Sequence, residues 1–246
     1  MTFPLMGAPY MDIRSHLERF YEAQWRRGSA QWISNDVACT NLRNGRPTPV
    51  NYCVSTVARL CFQPHSPMDK VLETLRILSP VDGGVLYQYP RRSLHFTLLG
   101  CTQRLPRRSL FTKTRINTIA AQCERILTGA GRTVVNFQGL CISESQIFLQ
   151  GFPRDLKWAE LRSSVETSMK AIGETPISYP NPQLPVFLNI ARLATMNPSH
   201  VRYLLGQVER LRAQSVGDVV VGRVELMIAD QVLSPQRTRR VTYFRL

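Results

Sequence analysis

Residues 93–100 read Ser-Leu-His-Phe-Thr-Leu-Leu-Gly, and residues 186–194 read Val-Phe-Leu-Asn-Ile-Ala-Arg-Leu-Ala. Both stretches are rich in aromatic and branched residues, the composition of a half-buried strand, and each is followed within about 15 residues by a helical pattern. Side chains alternate across a strand, so His95 and Thr97 share one face while Leu94, Phe96 and Leu98 turn to the other, into a core. An imidazole and a hydroxyl side by side in an apolar strand are costly unless hydrogen-bonded or open to a cleft. A satisfied core histidine beside an ordinary strand threonine is the alternative reading.

The neighbouring segments have a consistent order. Residues 9–28 carry Ile13, Leu17, Phe20, Tyr21 and Trp25 on one helical face, with Gly28 as the expected stop. Residues 34–49 form a polar loop, and 50–62 a strand. A helix is expected from Ser66-Pro67 to Leu78 with Val71, Leu75 and Leu78 on one face. Asp82-Gly83-Gly84 forms a tight turn into Val-Leu-Tyr-Gln-Tyr-Pro, expected to pair with the SLHFTLLG strand. A helix over 109–127 ends at Gly129-Ala130-Gly131, and two strands follow, joined at Ser143-Glu144-Ser145. Helices are expected from Asp155 to Ile172 and from Asn197-Pro198 to Gln214. GDVVVGRVELMIAD and RRVTYFRL close the chain as strands.

Paired strands with intervening helices argue for an α+β fold with antiparallel sheets. The two halves repeat a layout in which a strand bearing a short polar motif runs into a helix. His95-Phe96-Thr97-Leu98, followed by Leu-Gly and a helix, resembles the first motif of the two-histidine (2H) phosphoesterase superfamily, which includes 2′-5′ RNA ligase-like proteins and cyclic phosphodiesterases. Members carry a second motif, often His-x-Thr-Leu-Ala-Arg, roughly 80–100 positions later. Aligning Ala191-Arg192 on its end puts Ile190 on the Leu, Asn189 on the Thr and Phe187 on the second His. The resemblance covers 50–246, read as one bilobal domain: two pseudo-symmetric antiparallel sheets, backed by helices, flank a central cleft. Residues 1–49 are a helical extension and loop, whose apolar helix face serves either packing or a protein partner.

The resemblance implies metal-free phosphodiester chemistry in which one imidazole takes a proton on one side of phosphorus and the other gives one on the far side. His95 is the catalytic candidate. Phe187 can do neither job, and His16, His65 and His200, the other imidazoles, have no evident place as substitutes. Thr97 and Asn189 remain as donors to phosphoryl oxygens and Arg192 as a further contact or a structural arginine. Phe187 is either a base-stacking surface or a core residue. Tyr87, Tyr89, Arg91 and Arg92 line the cleft or a hairpin surface. The expected function is binding of RNA or a nucleotide phosphate with impaired or lost catalysis. An active cyclic or 2′-5′ phosphodiesterase using His95 with an unconventional partner is a second reading, and a non-catalytic interaction module a third.

Composition bounds these readings. The 246 residues are 43% hydrophobic and 20% charged, which excludes a disordered, collagenous or coiled-coil chain. No apolar run is long enough for a bilayer, and the N-terminus lacks the basic start of a secretory signal, so a cytoplasmic, unexported protein is expected. Lys and Arg number 31 against 17 Asp and Glu, a net +14, and just four of the cations are lysines. Arginine forks suit a polyanion such as RNA; a solvated basic surface drawn from arginine-rich coding is the alternative. Six cysteines without a CxxC pair, most in apolar segments, read as free buried thiols. With four histidines, no zinc spacing can be assembled, and no cofactor is expected.

Overall fold

The computed structural model describes residues 10–36, 42–43, 46–48, 51–60, 67–78, 86–177, 185–194, 197–230 and 232–246. The expected turn at 82–84, His65, Cys39 and Cys61 lie outside them. In chain order the elements are α1 (Tyr10–Ile33), β1 (Leu42–Arg43), β2 (Arg46–Pro47), β3 (Tyr52–Arg59), α2 (Met68–Leu78), β4 (Leu86–Gln88), β5 (His95–Gly100) and α3 (Lys113–Leu127). There follow β6 (Thr133–Ser143), β7 (Gln146–Pro153), α4 (Lys157–Ala171), β8 (Val186–Leu193), α5 (Pro198–Arg210), β9 (Ser215–Val221), β10 (Arg223–Asp230) and β11 (Arg239–Arg245).

The fold is α+β. β1 and β2 form a small ladder of their own, and the other nine strands make one antiparallel sheet in the order β11-β10-β3-β5-β8-β7-β6-β9, with β4 also on β8. The expected two strand groups therefore meet in one sheet, joined where β5 touches β8 at a single pair, Phe96 with Leu188. β4 does not neighbour β5: it pairs Leu86–Gln88 with Leu193–Ala191, while β5 has β3 on one edge and meets β8 on the other. GDVVVGRVELMIAD is likewise two strands. β9 pairs with β6 at one end of the order, and β10 lies between β3 and β11 at the other. Gly222 alone separates them, so Val221 and Arg223 lie at most about 7 Å apart. The sheet must therefore bend until its edge strand β9 and the next-to-edge strand β10 at the other end share one continuous stretch of chain.

The core follows from the alternation expected for β5. Leu94, Phe96 and Leu98 are fully buried, and Phe96 packs 5.2 Å from both Phe137 and Trp158. Two helix starts are capped by side chains: at α3 Thr112 accepts from Arg115 N, and at α5 Asn197 Oδ1 accepts from Ser199 N.

α1 runs through Gly28 rather than ending there. Gly28 is a contact residue: a Cβ on it would lie 3.0 Å from the Ile142 carbonyl oxygen, so the glycine lets the helix approach β6. The apolar face of α1 is used within the chain. Leu17 and Tyr21 are buried with Cys141, Phe148 and Phe152, and Trp32 Nε1 donates to Glu144 O at 2.8 Å. Tyr21 Oη sits in the β7–β8 ladder beside the Gly151 and Val186 main chains, accepting from both amides at 3.2 Å and lying within 3.0 Å of both carbonyls.

Candidate functional site

The β5–β8 junction is the centre of the site. Phe96 and Leu188 are the middle residues of the two motifs, His95-Phe96-Thr97 and Phe187-Leu188-Asn189, so a local two-fold relates the motifs across that pair. The antiparallel direction puts His95 beside Asn189 and Thr97 beside Phe187. Each motif also carries a β-bulge at its fourth position. Against β3 the extra residue is Leu98, since Val57 pairs with Thr97 and Thr56 with Leu99. Against β7 it is Ile190, since Phe148 pairs with Asn189 and Ile147 with Ala191. A bulge shifts the alternation by one residue. Leu98 with Leu99, and Ile190 with Ala191, thus all turn into the core. The next residues, Gly100 and Arg192, return to the face of the motif residues.

That face lines a cavity of about 260 Å3 containing His95, Thr97, Phe187, Asn189 and Arg192, the five residues singled out in the sequence. Strict alternation would have sent Arg192 to the other face; the bulge at Ile190 brings it in. The cavity also holds Cys53, Ser55, Arg104, Gln146 and Asp230, which sequence reading missed because they come from distant strands and loops.

Main-chain oxygens near the bulges are satisfied from behind. Tyr89 N donates to Ile190 O at 2.9 Å. Arg162, a buried arginine of α4, donates through Nε to Leu98 O at 2.7 Å and through Nη2 to Pro185 O at 3.2 Å, tying β5 to the start of β8. Tyr89 Oη also accepts from Arg192 Nε at 2.7 Å, fixing the arginine beside His95; the Tyr89 and His95 rings lie 6.4 Å apart. Tyr89 therefore supports the cavity from outside its lining, and Tyr87 packs against it, 5.6 Å between ring centres.

His95 Nδ1 is 2.6 Å from Ser93 O. A carbonyl oxygen can only accept, so Nδ1 carries the hydrogen and Nε2 the lone pair. Burial lowers the imidazole pKa from 6.5 to about 4, with the Arg59 and Arg192 charges adding to the effect against the Ser93 bond and Asp230. His95 is therefore a neutral base at pH 7. Asn189 Oδ1 is buried with no hydrogen-bond partner, an unmet acceptor at the cavity wall. The Asp230 carboxylate is engaged by Val232 N at 3.2 Å, Ser234 N at 2.9 Å and the Ser234 hydroxyl. Burial raises the Cys53 thiol pKa, so it stays protonated.

Phe187 is both core and cavity wall. Its ring meets Phe148 at 4.8 Å, Phe20 at 5.9 Å and Tyr21 at 6.1 Å, so α1 buttresses the position from behind. His200 starts α5 and is not among the lining residues. Among the described residues no three His, Cys, Asp or Glu side chains are grouped to hold a metal, and no helix is long and apolar enough to cross a membrane.

No protein-family model and no curated protein sequence matches the chain. Solved structures do. TT0787 of Thermus thermophilus superposes with a TM-score of 0.53 at 15% identity, over 80% of this chain and 97% of its own. A structure described as a phosphoesterase gives 0.52 at 13% identity, over 81% and 99%. Escherichia coli LigT complexed with 3′-AMP gives 0.51 at 14% identity, over 80% and 98%. The resemblance drawn from the SLHFTLLG motif thus holds at the level of the fold.

Proposed function

We propose that this chain binds an RNA or nucleotide phosphate in the His95 cavity and that its phosphodiester chemistry is impaired or lost. The observation that carries the reading is the inequality of two equivalent positions, a neutral histidine at 95 and a phenylalanine at 187, within the fold of a protein seen with 3′-AMP.

In this reading Thr97 Oγ and the Asn189 amide donate to phosphoryl oxygens, and Arg104 and Arg192 balance the phosphate charge. Asn189 Oδ1, which lacks a partner, accepts from a ribose or phosphate hydroxyl. His95 Nε2 accepts a proton or hydrogen bond from a hydroxyl next to phosphorus. Displacement at phosphorus also needs a proton delivered to the leaving oxygen on the far side. Phe187 has none to give, and the Asp230 carboxylate is an acceptor, already taking hydrogen bonds from Val232 N, Ser234 N and the Ser234 hydroxyl. Loss of one member of such a pair lowers the rate by about 10²–10⁴-fold.

The test is calorimetric titration with 3′-AMP, alongside turnover of a 2′,3′-cyclic nucleotide in EDTA, for wild type and His95→Ala. Measurable 3′-AMP binding with little or no turnover is expected. Vigorous turnover, abolished by His95→Ala, would overturn the impairment of catalysis and show that a second proton donor acts. Absence of nucleotide binding would refute the reading as a whole.

A further inference from the structure

A second cavity, of about 520 Å3, lies across β3 from the first. Asn51 and Cys53 line the His95 cavity, and Tyr52 between them lines this one. Two other segments also serve both. The stretch after β5 gives Arg104 to the first cavity and Arg108 to the second, and the stretch from the end of β10 to the start of β11 gives Asp230 and Leu233 to the first and Gln236, Arg237 and Arg239 to the second. Arg104 and Arg108 are separated by at most about 14 Å of main chain.

The second cavity has three arginines and no acidic residue in its lining. Elsewhere the fold pairs arginines with care: Arg59, Arg223 and Arg240 gather on Glu225, and Arg115 meets Glu174 at 2.6 Å. Arg104, Arg107, Arg108, Arg237 and Arg239 have no ion-pair partner among the described residues. Three guanidinium groups around one concavity repel each other unless an anion sits between them, and their planar forks fit phosphate oxygens. Tyr52 and Phe111 add aromatic rings to the lining, faces on which a base can stack.

We propose that this cavity is a second phosphate subsite for single-stranded RNA. The strand's terminal phosphate lies in the His95 cavity, and its backbone follows Arg104, Arg107 and Arg108 to the Arg108–Arg237–Arg239 cluster. The inference rests on the proposed function and narrows its ligand from a nucleotide to an oligonucleotide.

The experiment is fluorescence anisotropy with a labelled oligouridylate bearing a 3′-phosphate, measured across salt concentrations, with 3′-AMP titrated in parallel. Wild type is compared with the triple variant Arg108→Ala/Arg237→Ala/Arg239→Ala and with the corresponding triple lysine variant. Single-strand binding loses about 0.7 log units of affinity per log unit of salt for each phosphate neutralised. The alanine variant is therefore expected to lose about 2 from the salt slope and at least about tenfold in affinity. It should keep its 3′-AMP affinity, and the lysine variant should keep most of the slope. An unchanged slope in the alanine variant, or oligouridylate binding no tighter than 3′-AMP, would overturn the second subsite and leave the His95 reading standing. Failure of both ligands would sink the functional reading itself. Equal competition by polyglutamate would refute RNA as the occupant.

Discussion

Replacing His95 with asparagine should make the protein less sensitive to mild acid. The wild-type imidazole has its pKa lowered to about 4 in the fold, against 6.5 when unfolded. Between these values the unfolded chain binds a proton that the folded chain does not, so stability rises with pH through that window and falls as pH drops through it. The shift amounts to roughly 3 kcal/mol over the whole window, of which about 2 kcal/mol is lost between pH 7 and pH 5. For a chain of this size each kcal/mol moves the melting temperature by about 2–4 °C, so the histidine contributes about 4–8 °C to the acid-induced fall. Asparagine keeps an amide near the Nδ1 position to donate to Ser93 O and cannot titrate. Differential scanning calorimetry at the two pH values, on wild type and His95→Asn, should show the smaller drop in the variant. Parallel curves would refute the argument that burial keeps this imidazole neutral.

Other positions give equally direct tests. Tyr21→Phe removes the hydroxyl from between the Gly151 and Val186 main chains; it should cost roughly 2–3 kcal/mol in urea unfolding, because two amides lose their acceptor. Gly28→Ala adds about 1 kcal/mol of helix propensity, yet the same denaturation assay should show a loss, since the new Cβ meets the Ile142 carbonyl. Phe187→His restores a proton donor at the equivalent second position and should raise 2′,3′-cyclic nucleotide turnover by about 10²-fold or more over wild type. The accompanying loss of contacts with Phe20, Tyr21 and Phe148 should lower the melting temperature.

The motif residues were legible because strand alternation and the repeated layout are local properties. His95, Thr97, Phe187 and Asn189 lie where that logic put them, on one wall of one cavity. Arg192 arrived there by a different route, a bulge at Ile190 that no local pattern announced. Partner choice was not legible either. Nothing in Leu86–Gln88 states that it will pair with β8 rather than with β5, which is nearer in sequence. Gly28 resembled a helix stop because glycine both ends helices and permits close packing, and the second use shows only once Ile142 is beside it. Arg162 gave the least signal, as a lone arginine in an amphipathic helix ordinarily faces water. It is buried where its guanidinium donates to Leu98 O in β5 and to Pro185 O just before β8.

The lone glycine between β9 and β10 also governs how the chain can be made. β3 needs β10 on one side and β5 on the other, yet β10 and β11 leave the ribosome after the other strands of this sheet. Until residues 223–245 emerge, a nascent chain holds β3 with one edge open, and that edge includes the apolar Val54 and Val57. Unpaired strand edges invite pairing with other chains, and such distant partners come together slowly. A chain cut short near Gly222 would retain both motif strands and lack what closes the sheet around them, so its expected fate is aggregation rather than a functional half.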